Sequence, residues 1–305
     1  MSSPGGITNV GFTQKRAAAE VVVCSALWGF GFIATRWAMD SFDAFFLTGL
    51  RFLLAALLLF ILAVSVPRWR KSLSLDEFFL AFLPGLFLSA TLVLQTVGLR
   101  YTTVTNSGFI TVLYVVFVPV LEAVFFSRKT KLPHIGAILL ALGGAGLLCQ
   151  AWNLHNLNIG DFLTLLCALA AAVQIVLVER ASTKFQSPFL FNFYQSFWVG
   201  IIPFAVGIAM DSKNLTHAPF AAHSLSWAGL AFLVVGSTMI AFLIQMRAQR
   251  VLPSATASML FLLESPFAAV FGYFIFNERM NGLQWTGAAL IMIAAFVSAR
   301  FGIKK

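Results

Sequence analysis

Charged residues are scarce in this chain of 305: they make up 10% of it, while 60% are hydrophobic. Soluble domains carry about 25% charged and about 45–50% apolar residues, so a water-soluble globule is excluded. Cysteine is nearly as sparse. Cys24, Cys149 and Cys167 all fall inside apolar runs and pair with nothing nearby in sequence, so no disulfide framework or zinc spacing exists and they read as small hydrophobes. The four histidines, His134, His155, His217 and His223, fall in loops or at the ends of apolar runs. The sequence therefore offers no buried imidazole to serve a membrane-embedded nucleophile as base. There is no His-Glu-x-x-His site, no Gly-x-Ser-x-Gly elbow and no Walker-type phosphate loop. No metal, cofactor or catalytic residue is expected, and ATP-driven work would need another subunit.

What the chain has is long apolar runs. Splitting them at charges, prolines and Asn/Asp gives ten predicted spans, near 17–38, 43–66, 76–98, 103–126, 132–150, 160–179, 188–210, 226–247, 254–277 and 283–300. A 30 Å hydrocarbon core needs ~20 apolar residues in a helix, so the chain reads as an all-α polytopic membrane protein. The first run is too long for the apolar region of a signal peptide and lacks a cleavage site, so it is expected to stay in the mature protein. In a soluble protein the net charge of +9 would point to a nucleic-acid partner; here its placement matters instead, and no nucleic acid is expected. With the N-terminus in the cytoplasm, 15 of the 20 Lys and Arg fall inside, leaving Arg36, Arg51, Arg100, Lys213 and Arg279 on or toward the outside. That asymmetry predicts both termini cytoplasmic in a multi-pass protein of the inner (plasma) membrane.

The stretch 254–277 is an apolar run with Glu264 and Pro266 at its middle. An ionised carboxylate at that depth costs ~2.5–3.5 kcal/mol on insertion scales, so Glu264 should face protein or a water-filled cavity. Pro266 removes a backbone donor, which predicts a bend and a free carbonyl beside the carboxylate.

Sliding the second half of the chain by about 150 positions lays 91–107 over 241–257, pairing Gln95 with Gln245 and Arg100 with Arg250, and Tyr114 with Glu264. Downstream, Gly136 overlays Gly287 at a shift of 151; upstream, a shift of 144 lays Arg36 over Arg180 and Arg51 over Gln195. Five spans per half is an odd number, so the halves must enter the bilayer with opposite orientation, the inverted repeat common in secondary transporters.

These residues also carry a family likeness. Ala26-Leu27-Trp28-Gly29 with Arg51-Phe52, Leu263-Glu264-Ser265-Pro266-Phe267-Ala268-Ala269, Asn277-Glu278-Arg279 and Trp285-Thr286-Gly287-Ala288 resemble the drug/metabolite transporter superfamily, EamA type. The run from Phe109 to Pro119 resembles the family's fourth helix, and the likeness covers about 17–299. It implies ten transmembrane helices as two five-helix inverted repeats around a central cavity that carries small metabolites. The first half departs from it after the fourth span, where Arg128-Lys129-Thr130-Lys131 stand in place of a counterpart to Glu278.

Hydrophilic side chains within spans mark surfaces that avoid lipid, and Gln95, Asn106, Tyr114, Gln174, Gln245 and Glu264 are that set. For each glutamine or asparagine the competing role is an interhelical hydrogen bond. Trp28, beside Gly29 and Gly31, offers an aromatic wall that can hold a ring or an ammonium group, or simply pack. Arg51 lies about two turns into its span, within reach of neutralisation by Asp40 and Asp43, with a substrate anion as the alternative. Glu122 reads as a solvated helix end near Arg128, and Ala137, Ala141 and Ala145 as a packing stripe. The expected organisation is a cytoplasmic tail 1–16, repeats 17–150 and 151–300, and a tail 301–305. The expected protein is a secondary transporter in the lipid bilayer, monomer or homodimer, for a small-molecule substrate such as an amino acid or amine. Its substrate-binding residues would be Trp28, Gln95, Tyr114, Gln174, Gln245 and Glu264, with Glu264 recognising a cation or coupling a proton. A uniporter or exchanger without proton coupling is the alternative, and an intramembrane lipid-modifying enzyme a more distant one.

Overall fold

The computed structural model describes residues 13–98, 101–102, 107, 110–128, 130–151, 158–210, 224–277 and 279–302. Among them every regular element is helical. Eight helices are long and apolar enough to cross a membrane: α1 (Gln14–Met39), α2 (Ala44–Ser65), α3 (Leu75–Gly98), α6 (Ile159–Ser182), α7 (Pro188–Met210), α8 (Ser224–Ala248), α9 (Ser254–Phe276) and α10 (Gly282–Gly302). Two shorter apolar helices, α4 (Tyr114–Phe126) and α5 (Leu132–Leu148), fall within the expected spans 103–126 and 132–150. Arg100, Asn106, Lys129, Lys213 and Glu278, with His155, His217 and His223, lie outside the described residues.

The chemistry of the ends explains the boundaries. Asp43 caps α2 by accepting the Phe45 amide at 2.9 Å, and Asn158 with Asp161 forms a reciprocal capping box on α6. α4 and α9 both stop at a residue in the left-handed region, Ser127 at φ 52° and Asn277 at φ 54°. Large apolar side chains such as Phe125, Phe274 and Phe296 stand on the outside, where only hydrocarbon would accept them at no cost.

Lipid gives no hydrophobic push between helices, so small residues that let backbones approach do that work. α2 and α7 cross antiparallel at Gly200, where an added methyl would stand 3.0 Å from the Leu53 nitrogen, and at Gly207, 2.8 Å from the Phe46 nitrogen. α5 and α10 cross antiparallel at Gly144 and Gly287, each of which faces the other's carbonyl. The stripe Ala137, Ala141 and Ala145 is buried in this core, as its spacing predicts. α1 packs on α8 and α9, and α6 packs on α3 and α4. Near the C-terminal ends of α1 and α6 two arginines cover aromatic rings: Arg36 lies 4.3 Å from the Phe276 ring and Arg180 3.7 Å from the Phe126 ring.

Candidate functional site

α9 is two helices in sequence, Ser254–Phe261 and Glu264–Phe276, joined through Leu262 and Leu263. Across the joint the backbone tightens to i→i+3 bonds, Leu263 to the Leu260 carbonyl and Ser265 to the Leu262 carbonyl, both 3.1 Å. The carbonyl that Pro266 was expected to leave free is therefore taken by Ser265. α4 begins at the same kind of joint, with Leu113 bonded to the Ile110 carbonyl and Val115 to the Val112 carbonyl, although Val116 stands where α9 has Pro266. The bend is thus a property of the packing, with the proline fitted to it.

Tyr114 and Glu264 are the first residues after the two joints. Glu264 is half-buried and has no hydrogen-bond or ion-pair partner among the described residues. α1 packs on both halves of α9, and α4 and α6 pack on its first half, so these three helices meet α9 around the joint. Tyr114 is 5% exposed and its hydroxyl finds no partner. Gln95 of α3 reaches the Thr111 hydroxyl at 3.5 Å, and Thr111 in turn engages the Cys167 thiol. Two turns along α6 from Cys167, Gln174 accepts from Gln245 of α8 at 3.4 Å. Both glutamines are at most 3% exposed, and the Gln174 amide nitrogen and the Gln245 amide oxygen remain unfilled. The paired glutamines therefore make the interhelical bond that was the competing role, with bonding capacity left over. The three cysteines are free thiols; Cys24 donates to the Ala241 carbonyl at 3.2 Å.

Trp28 stands against this region. Its indole N–H donates to the Ser237 carbonyl at 3.1 Å, and its ring meets Phe242 and Phe261 at 5.2 and 5.3 Å. Gly29 brings α1 onto the α9 joint: an added methyl would lie 3.0 Å from the Glu264 carbonyl oxygen. Gly31, about 3 Å farther along the axis and on another face of α1, approaches the Ser237 hydroxyl. Ser237 belongs to a π-helical segment, Leu233–Ile240, inside α8. Hydropathy gives no sign of that segment.

Arg51 departs from the sequence reading. Asp43 is spent on its cap, and the guanidinium donates instead to the Thr238 hydroxyl at 2.7 Å and the Ser237 hydroxyl at 3.1 Å. Glu122 is also different from its expected role: it is buried, and Arg128 bridges it at 2.9 Å to Glu179 at 2.8 Å. The hydrogen bond to Glu179, then the neighbouring carboxylate charges, hold the Arg128 guanidinium above its ordinary pKa against partial burial. Glu179 also accepts from the Ser254 amide at 3.0 Å and from its hydroxyl, so the ends of α4 and α6 and the start of α9 are tied together. His134 is buried rather than exposed at a helix end, its ring nitrogen 3.0 Å from the Ser298 hydroxyl. A groove of about 500 Å³ runs between α1, α9 and α10, lined by carbon from Ala18, Leu260, Pro266 and Met292 among others. It opens where lipid tails belong and is separate in character from the polar cluster.

Comparisons with known proteins agree with this architecture. The sequence model described as "EamA-like transporter family" matches residues 17–150 and 158–300. An uncharacterized transporter of Archaeoglobus fulgidus is 29% identical over 94% of this chain and 90% of its own length. Uncharacterized transporter YetK of Bacillus subtilis is 20% identical over 93% of this chain and 87% of its own. A solved structure described only as a protein superposes with a TM-score of 0.74 over 94% of this chain and 98% of that one, at 15% identity.

Proposed function

The chain belongs to the EamA-like transporter family, and on that premise we propose that it is a secondary transporter moving small metabolites, such as amino acids or amines, across the plasma membrane by alternating access. The observation that carries this reading is the interior cluster. A carboxylate without a partner among the described residues and an unbonded tyrosine hydroxyl stand at the two joints, within a bundle that also holds a glutamine pair with two bonding positions unfilled. Such groups are costly inside an apolar bundle unless polar cargo or water reaches them. In this reading Glu264 recognises a cation or carries a proton, Gln95, Tyr114, Gln174 and Gln245 orient the substrate, and Trp28 is its aromatic wall.

Ten spans in two inverted five-helix repeats, 17–150 and 151–300, belong to the same proposal. The pairings support it: α1 on α8 and α9 becomes α6 on α3 and α4 when the halves are exchanged, while α2 on α7 and α5 on α10 map onto themselves. Those self-paired helices cross antiparallel, as a two-fold axis in the membrane plane requires. Arg36 with Phe276 and Arg180 with Phe126 also exchange, and the joints of α4 and α9 stand 150 residues apart. The family model's two successive matches point the same way.

Flux in proteoliposomes against a panel of amino acids and amines tests transport, and absence of any flux above that of empty liposomes counts against it. Orientation is tested by impermeant thiol labelling of intact cells. A cysteine at Lys71 or Lys131 should be shielded and one at Lys213 should label; the reverse pattern would invert the assigned topology and remove the charge argument. A third measurement concerns Gln245. Gln245→Leu should leave thermal stability within about 1 kcal/mol, since a single polar pair between spans is worth ~0.6 kcal/mol, and should reduce flux severalfold. Loss of folded protein with normal specific flux would assign Gln245 to packing alone.

A further inference from the structure

Arg51 is a cation set among helices with no carboxylate paired to it among the described residues. The described residues supply it with two hydroxyl acceptors, Thr238 and Ser237, and an aromatic neighbour, the Phe52 ring 4.9 Å from the guanidinium carbon. None of the four ion pairs among the described residues involves it. A guanidinium has five N–H donors and two are used here, so three remain. The side chain is half-buried, and Nη1, which carries two of the spare donors, is not among the sealed, unbonded atoms of the described interior.

The hydroxyls are presented by the π-helical segment Leu233–Ile240, a winding that is rare and frequent at functional sites. From the other side, Asn192 of α7 donates to the Met239 carbonyl at 2.9 Å and holds the same segment. Gln195, one turn along α7, is 1% exposed and leaves both amide atoms without a partner. The wall next to Arg51 is aromatic and continuous: Phe52 meets Phe242 at 5.8 Å, and Phe242 meets Trp28 at 5.2 Å.

We propose that Arg51, held in place by Ser237 and Thr238, is the receptor for the carboxylate of a substrate whose apolar body lies along the half-buried Trp28. This rests on the transporter reading and names its substrate class: monocarboxylates with an apolar or aromatic body. Each part follows from chemistry. The guanidinium fork matches a carboxylate with two parallel hydrogen bonds. Ser237 and Thr238, buried themselves, occupy two of the guanidinium donors and so fix the direction of the other three. One positive charge among neutral groups balances one negative charge, and a dianion would bring a second, uncompensated charge into the bundle.

Four probes separate the possibilities: L-phenylalanine and 3-phenylpropionate, which carry the carboxylate, and phenylalaninamide and phenethylamine, which do not. Ligands raise the melting temperature of the state they bind, so thermal unfolding of the purified protein in zwitterionic lipid nanodiscs reads binding without a flux assay. The two acids at millimolar concentration should stabilise the parent more than the amide and amine. Arg51→Gln should weaken the response to the acids by roughly 10- to 100-fold, the loss expected for a charge-assisted hydrogen-bond pair, and leave any response to the other two unchanged. Arg51→Lys keeps the charge, and so preserves the fold if glutamine does not; without the planar fork it should still lose about tenfold.

Equal stabilisation by acid, amide and amine, no stabilisation by either acid, or unaltered acid responses in both variants would overturn the assignment. Stabilisation that comes from phosphatidylglycerol in the nanodisc, is lost in Arg51→Gln and is absent for free acids assigns the anion to a lipid headgroup and equally removes the substrate role. The transporter reading is judged separately: flux of phenethylamine in proteoliposomes with no response to the acids discards the carboxylate receptor and leaves a carrier.

Discussion

Glu264→Gln is expected to fold, to exchange substrate across a membrane without a gradient, and to lose accumulation driven by a pH gradient. Glutamine keeps the size and hydrogen-bonding reach of the side chain at the α9 joint and cannot bind or release a proton. A one-unit pH gradient holds ~1.4 kcal/mol per proton, a factor of about ten in the substrate ratio for one proton per turnover. The parent should approach that ratio in proteoliposomes and the mutant should fall to a ratio of about one. The measurement is labelled substrate retained at steady state with and without the gradient, beside counterflow as a check on exchange. A mutant that accumulates as well as the parent would leave Glu264 as a partner of the joint or of a substrate ammonium and place proton coupling elsewhere, whereas a parent that does not accumulate would make the carrier a uniporter or exchanger.

The largest effect on stability is expected at the crossing of α5 and α10. A methyl group built on Gly287 would stand 2.5 Å from both the Gly144 carbonyl oxygen and the Leu148 nitrogen. These are backbone atoms of a packed helix and cannot turn aside, so Gly287→Ala must push the helices apart. Overpacking of this kind costs ~1–3 kcal/mol, and the upper part of that range is expected here. Gly136 and Gly143, on the same α5, have nothing within 4 Å of an added methyl, so alanine at either should change stability by at most ~0.5 kcal/mol. Thermal unfolding of the three variants in one detergent makes the comparison. Equal melting temperatures would mean that the contact does not hold the two helices at this distance.

Much of this architecture was legible because a bilayer makes long demands on sequence. Twenty apolar residues in a row are hard to place otherwise, so eight of the ten expected spans emerged as full-length helices near their predicted positions. Glu264 and Tyr114 could be singled out because polar groups are rare in such runs, and their 150-residue spacing placed them at matching joints. The stripe of alanines in α5 was visible for a similar reason: small residues at helical spacing have one dominant use in lipid. Partner choice was harder to read. Arg128 was in view as a neighbour of Glu122, but nothing local says that Glu122 is buried or that Glu179 shares the arginine, because Glu179 arrives from a helix 50 or more residues away. His134 looked like a surface residue because its burial comes from α10 closing over the first turn of α5. Arg51 was assigned to nearby aspartates on sequence distance, while its true acceptors, Ser237 and Thr238, come from a segment whose winding leaves no mark in hydropathy.

The π-helical winding of Leu233–Ile240 also decides which helices can move independently. Three neighbours hold that short segment at once: Trp28 of α1 donates to the Ser237 carbonyl, Arg51 of α2 to the Ser237 and Thr238 hydroxyls, and Asn192 of α7 to the Met239 carbonyl. A return to regular winding would displace all of these acceptors together, so α8 acts there as a shared hub, and any rearrangement of the segment is felt by α1, α2 and α7 in a single step.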